Sequence, residues 1–273
     1  KIGDRRAVDA LIGCLTASDQ SWLDYAAAEA LGEIGDERAL GPLLAALGRS
    51  SLREPVLESL RKIGNVQSLP LLINGLIDPL RIVREVSVVA LAAVYRKSPP
   101  ADLVQISNAV RSGITDQALP LLEELIDTSG GELQKAAVAV LGWAGRPSAV
   151  PKLLSLLRDE EMEDVVVQAL RHLGGEGVPL LLDRLGDDNV LVRRVVAMVL
   201  GELGRREAED ALLSLLDDEN GHVRGAAAES LGRLKSSKAV PPLLRLLEDE
   251  YENVQECAIR ALTAIGDESV LDG

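Results

Sequence analysis

Phenylalanine is absent from this chain, and aromatic residues together make up 2% of its 273 residues. An interior without large rings has to be filled by Leu, Val, Ala and Ile, which suits narrow, densely packed layers between helices. The same shortage removes the stacking platforms on which bases are held, so a nucleic-acid partner is not expected. Histidine is nearly as scarce: His172 and His222 are the only two, 50 positions apart. A shared metal site or a Cys–His pair is therefore not supported. No apolar run approaches the roughly 18 residues that a membrane span needs, and no membrane association is expected. Also missing are a nucleophile elbow, a phosphate-cradling glycine loop, an HExxH pair and the Asp-x-Asp-x-Asp-Gly calcium loop. No catalytic, cofactor or metal residue is assigned.

Positive charge is in deficit. The formal net charge is -14, and residues 146–273 carry 15 Lys+Arg against 25 Asp+Glu. Such a field repels phosphate backbones and adds to the case against nucleic acid.

What the chain has in abundance is one repeated phrase. A Leu-x-x-hydrophobic segment closes on Gly or a stand-in eight times: ALGEIG at Gly35, SLRKIG at Gly64, ALAAVY at Tyr95, VLGWAG at Gly145, ALRHLG at Gly174, VLGELG at Gly204, SLGRLK at Lys235 and ALTAIG at Gly266. Counted from Gly3, the intervals are 32, 29, 31, 50, 29, 30, 31 and 31 residues. A fixed period near thirty means that each unit is one supersecondary element that buries its apolar face only against its neighbours. The seventh copy shows the plan. Ala211, Leu212, Leu215 and Leu216 form the apolar stripe of a first helix, which stops at Asp217-Asp218-Glu219-Asn220-Gly221. Val223, Ala226, Ala227, Ser230, Leu231 and Leu234 then line one face of a second helix, and the closing residue supplies its C-cap. Pro42, Pro70, Pro120, Pro151, Pro179 and Pro241 fall in the first turns of first helices, where no backbone N–H is required.

The interval of 50 holds a surplus that reads as an irregular insert at 96–113, with Ser98-Pro99-Pro100 leading into a helix from about Ala101 to Val110. It separates sub-blocks 1–95 and 114–273, and it is open to reading as a hinge, a bend, a partner site or the remnant of a decayed repeat. Both ends read as cut from a longer protein: the chain starts KIGDRRAV inside a repeat and ends DESVLDG, much like DERALGP at 36–42. Cys14 lies in the first copy and Cys257 in the last. With about 8–10 Å between packed helices, these thiols are expected to lie too far apart for a disulfide. Two cysteines that form no internal disulfide fit a reducing compartment, and a cytoplasmic location is expected.

The motif A-V-P-x-L-L-x-L-L-x-D … V-R-x-x-A-A-x-A-L-G-x-I-G resembles the HEAT-like repeat of the phycobilisome-lyase type, a shorter relative of the usual HEAT unit of about 40 to 47 residues. Copies one, six, seven and eight carry it best. Copies two to five depart from it, with Pro55 inside a second helix, Tyr95 in place of Gly, and the long interval. The resemblance implies an all-α fold, an alpha-alpha superhelix of about eight two-helix repeats with one extra helix near 100–113, its second helices lining the concave side. The whole of 1–273 is read as one such solenoid.

Two sets of residues invite a functional reading. Arg53, Arg84, Arg193 and Arg224 stand seven residues before the Leu of the closing motif, and Asp78, Asp187 and Asp218 precede three of them by six. An Asp–Arg ladder bracing each inter-helix turn against the next repeat is expected, because Arg holds a carboxylate bidentately. Acidic turns at 159–161, 187–188, 217–219 and 248–250 form either a docking edge for a basic partner or a solvated, helix-capping rim. On the second helices, the solvent-facing positions are charged at both ends of the array and apolar in the middle. Val89, Ala93, Ala139, Trp143, His172 and Met198, with Arg194 nearby, are the candidate partner-binding residues. For Trp143 the alternative is a packing role over the extra helix. The leading functional expectation is a non-catalytic scaffold binding a protein or peptide on its concave face. The resemblance also admits a bilin chromophore lyase, for which Arg171, His172, Arg194 and Trp143 are compatible, and more remotely a HEAT-like DNA glycosylase.

Overall fold

The computed structural model describes residues 4–17, 21–173 and 175–269. Gly3, Lys1 and Ile2, the closing Gly174 and the end of DESVLDG lie outside the described residues. The chain divides into two compact units, Lys1–Ala144 and Gly145–Gly273. Among the described residues every regular element is helical, and the architecture of each unit is an all-α, HEAT-like stack of hairpins.

The first unit contains the hairpins α1 (Val8–Ala17) and α2 (Ser21–Ile34), α3 (Leu40–Ala46) and α4 (Arg53–Ile63), and α5 (Leu69–Gly75) and α6 (Arg81–Lys97). A single helix α7 (Pro100–Gly113) follows, then the hairpin α8 (Ala118–Thr128) and α9 (Gly131–Ala144). The second unit contains α10 (Val150–Ser155) and α11 (Glu163–Arg171), α12 (Val178–Leu182) and α13 (Val190–Glu202), α14 (Glu209–Ser214) and α15 (Gly221–Arg233), and α16 (Val240–Arg245) and α17 (Glu252–Ser269). Eight hairpins and one extra helix result, as the period implies.

First helices of the second unit have only five or six residues, far below what survives alone in water, so packing holds them. Proline starts several: Pro70, Pro151, Pro179 and Pro241 occupy the first two positions of α5, α10, α12 and α16. Pro55 sits in the first turn of α4, because a 3-10 turn at Ser50–Leu52 precedes it, and it leaves that helix unbroken. In α15 the expected stripe is inside: Val223, Ala227, Ser230, Leu231 and Leu234 are buried, and Ala226 is half-buried.

Consecutive second helices interlock through a pair that recurs. At three joints the glycine that follows the motif Leu receives the small residue before the next one: Gly32 faces Ser59, Gly201 faces Ser230 and Gly232 faces Ala261. A Cβ on Gly201 would stand 2.6 Å from the Ser230 Cα, so only hydrogen fits. The serines add a bond across the joint, Ser59 Oγ donating to Ala28 O at 2.8 Å and Ser230 Oγ to Ala197 O at 2.9 Å.

The closing residue behaves less uniformly than its spacing implies. Gly204 (φ 63°) and Lys235 (φ 53°) take the left-handed C-cap, and the next N–H reaches back to Leu200 O and Leu231 O. Gly64 ends α4 at φ -52°, whereas Tyr95 and Gly266 lie within α6 and α17, which run past them. Helix α7 packs against α5 and α9 inside the first unit, burying Ile106 and Val110, and the division between units comes at Ala144.

The Asp–Arg ladder is present where both members are. Arg193 Nε and Nη2 donate to the Asp218 carboxylate at 2.8 and 2.9 Å while Nη1 donates to Asp187 O at 2.9 Å, joining its own turn to the next. Arg224 repeats this with Asp249 at 2.8 Å on both arms and with Asp218 O at 2.9 Å. Arg84 makes the same turn bond to Asp78 O, yet Thr128 stands where the next Asp would be, and the buried Arg84 Nε has no partner. Arg53 takes no part: it is exposed at the start of α4, and that joint is reversed, with Arg49 donating to the buried Asp24 at 2.8 Å. Gln255 keeps half of the device, donating to the turn carbonyl Asp249 O, and Gln134 donates to Ile126 O in the last turn of α8.

Candidate functional site

Each second helix presents one face to its neighbours and another to solvent, and the two units differ in what the solvent face offers. In the first unit Val89 on α6 and Ala139 on α9 are half-buried. Ala93 and Trp143 are not displayed: they are 7% and 4% exposed. The cause is Tyr95. With no glycine to end it, α6 continues to Lys97, and the Tyr95 ring stacks on Trp143 with centroids 4.5 Å apart and 27° between planes. Trp143 is therefore a packing residue, and its aromatic partner is Tyr95 on α6.

In the second unit His172 at the end of α11 and Met198 and Arg194 on α13 are half-buried. Arg194 is engaged, its Nη2 lying 2.6 Å from Glu163 Oε2. A chain of alternating charge crosses this unit: Arg171 meets Glu202 at 2.5 Å, Glu202 meets Arg233 at 3.7 Å, and Glu229 meets Arg233 at 3.9 Å and Arg260 at 3.1 Å. Arg171 and Arg194, the two arginines compatible with bilin propionates, are thus held by carboxylates of the protein itself. Cys257 lies beside this chain, its Sγ 3.5 Å from Glu229 Oε1 and 3.3 Å from Arg260 Nη2. Burial holds its thiol above the ordinary range against the opposing pull of Arg260, which is the wrong direction for a thiolate nucleophile. Among the described residues no three His, Cys, Asp or Glu side chains converge to hold a metal ion.

The acidic turns divide their labour. Asp159, Asp187, Asp218 and Asp249 each accept a backbone N–H two residues on, as turn caps. Asp249 is held below the usual carboxylate range by Arg224, against burial. For Asp218 burial is the largest influence and pushes upward, but Arg193, the Asn220 N–H and the Arg224 charge together bring it below. Glu160, Glu161, Asp188, Asp217, Glu219, Glu248 and Glu250 stay exposed on the rim.

One concave feature falls outside the expected set. A groove of about 850 Å³ runs between α2 and α4 in the first unit, floored by Ala26, Ala30, Ile34 and Pro55. Its walls carry Glu29 and Glu33 from α2 and Glu54, Glu58 and Lys62 from α4. Lys62 Nζ is bound to Glu33 at 2.9 Å and lies 3.7 Å from Glu58, which leaves Glu29 and Glu54 with no basic partner among the described residues. Tyr25 lines the groove at 39% exposure, and Trp22, one turn earlier on α2, is 70% exposed. The signal was in the sequence: positions 22, 25, 29 and 33 follow a helical stripe, as do 54, 58 and 62.

Among the described residues no helix is long and apolar enough to cross a membrane. Comparison with known proteins places the fold. A chain in the structure of Kap95p with RanGDP is similar over 96% of this chain and 40% of its own, at 14% identity and a TM-score of 0.58. One in the structure of Kap121p bound to Ste12p is similar over 96% of this chain and 37% of its own, at 15% identity and a TM-score of 0.52. Human deoxyhypusine hydroxylase, in complex with glycerol, is 22% identical over 96% of both chains, with a TM-score of 0.36. These likenesses concern fold. No curated protein matches the sequence. HEAT repeats match residues 1–54, 178–251 and 228–273, more than half of the sequence, and with the stacked hairpins those residues build, the chain belongs to the HEAT repeat family.

Proposed function

We propose that this protein is a non-catalytic scaffold that binds a protein partner along the solvent faces of its second helices. The observation that carries this reading is the α2–α4 groove, about 850 Å³ of open, apolar-floored surface on whose rim Glu29 and Glu54 meet no basic side chain among the described residues. The Ser59 hydroxyl that lines it donates to the backbone carbonyls of Ala28 and Pro55, and burial raises the Cys257 thiol of the second unit away from a thiolate. HEAT proteins of similar fold support the reading, since Kap121p is seen bound to Ste12p. Val89, Ala139, His172, Met198 and Arg194 are proposed as further contact positions, each only partly covered by its own unit. Ala93 and Trp143 are left out of this set because they pack inside. A cytoplasmic location, a single working solenoid and the phycobilisome-lyase subtype belong to the same proposal.

The test is capture of partners from native lysate by the full chain, compared with Val89→Asp, Met198→Asp and Glu29→Gln/Glu54→Gln variants whose circular dichroism is unchanged. Loss of a captured protein in any of these variants supports the reading. An intact chain that captures nothing, or captures equally in all forms, contradicts it.

A further inference from the structure

The α2–α4 groove has a chemistry of its own, and we propose that it docks a lysine- or arginine-bearing segment of a partner protein. This deepens the scaffold reading and rests on it. Three observations lead to a cationic, extended occupant.

The first is uncompensated charge. Glu29 and Glu54 meet no basic side chain among the described residues, because Lys62 is committed to Glu33 and Glu58 and Arg61 lies beside Glu58 at 3.9 Å. In the second unit the equivalent face does the opposite, since Glu163, Glu202 and Glu229 each meet an arginine. One face of the molecule is neutralised internally and the other is left for something else to neutralise.

The second is the aromatic edge. In a chain with two Trp and no Phe, Trp22 and Tyr25 stand exposed one turn apart on the helix that also carries Glu29 and Glu33. A ring beside carboxylates suits a guanidinium or ammonium, which draws on both the ring face and the negative charge. Ala26, Ala30 and Pro55 beneath give the aliphatic stem of Lys or Arg a surface to lie on.

The third is length. From Trp22 to Glu33 the stripe rises about 16 Å along α2 at 1.5 Å per residue. That matches about five residues of extended chain at about 3.3 Å each, more than a single amine or one metal ion requires. No metal-holding cluster is present among the described residues.

The experiment uses the full chain and a fluorescein-labelled hexapeptide alternating Arg and Ala, with a Glu–Ala hexapeptide as control. The Arg peptide is expected to bind by fluorescence anisotropy, to weaken as salt rises, and to change the emission of Trp22, Trp143 being buried. Glu29→Gln/Glu54→Gln is expected to weaken binding at least tenfold, while Glu160→Gln/Glu161→Gln, which removes the same charge from an exposed turn, leaves it within twofold. Lys62→Ala, which takes the basic side chain out of the groove lining, is expected to strengthen it severalfold. Absence of Arg-peptide binding, an equal loss in the two double variants, or displacement by spermine at the same concentration as by peptide would overturn the proposal. A lysate partner whose capture is indifferent to Glu29→Gln/Glu54→Gln also overturns it, while leaving the scaffold reading intact.

Discussion

Tyr95 and Trp143 form a stacked pair, ring centroids 4.5 Å apart, between the helix that fails to end on glycine and α9, the second helix of the hairpin after the inserted α7. Replacing Trp143 with Ala removes the larger ring from a closed interior and is expected to cost about 3–5 kcal/mol. Tyr95→Gly, which restores the repeat motif, is expected to destabilise as well. Urea unfolding measures both. A Tyr95→Gly protein as stable as the parent would show that the stack contributes nothing.

The ladder predicts a sensitivity to acid. Asp218 and Asp249 have folded-state pKa values below their ordinary range, so the stability they contribute is present above about pH 3.9, the ordinary Asp value. It is lost as pH falls through the lowered values. Melting temperature should hold between pH 7 and 5 and fall below pH 4. Asp249→Asn leaves the buried Arg224 without its carboxylate and is expected to cost about 2–3 kcal/mol at pH 7, with a shallower acid limb.

The incomplete rung at Arg84 should be repairable. Thr128→Asp supplies the carboxylate that Asp218 and Asp249 provide to Arg193 and Arg224, and a gain of up to about 1 kcal/mol is expected in thermal unfolding. A loss would show that Glu124, whose Oε2 lies 3.7 Å from Arg84 Nη2, already fills the role.

Lys235 holds a left-handed conformation that glycine adopts without strain. Lys235→Gly is expected to stabilise by about 1 kcal/mol, measured by chemical denaturation.

At the Gly201–Ser230 joint the backbones themselves are close, so no side-chain rotation makes room. Gly201→Val is expected to cost about 3 kcal/mol, and a near-neutral effect would mean that α13 and α15 slide apart freely.

Much of the fold was legible because hydrophobic period and punctuation act locally. The eight hairpins, the extra helix within Pro100–Gly113 and the Arg193 and Arg224 rungs follow from spacing alone. For Trp143 the sequence left display and packing over the extra helix both open, and it gave no sign of the stacking partner Tyr95, which stands where the motif has Gly. Lys235 gave no sign of its backbone, since a left-handed cap is written in sequence only when glycine occupies it. The α2–α4 groove was hidden for a different reason. Glu29, Glu33 and Glu58 read as ordinary surface charge until the partners of Lys62 were known, and an unpaired carboxylate is a property of neighbours, not of spacing.

Hydrogen–deuterium exchange of the full chain, with and without the Arg–Ala hexapeptide, tests the central claim most directly. Protection confined to Ser21–Ile34 and Arg53–Ile63, and absent in Glu29→Gln/Glu54→Gln, is the predicted result. Protection that appears instead along the acidic turns at 159–161, 217–219 and 248–250, or nowhere, would contradict it.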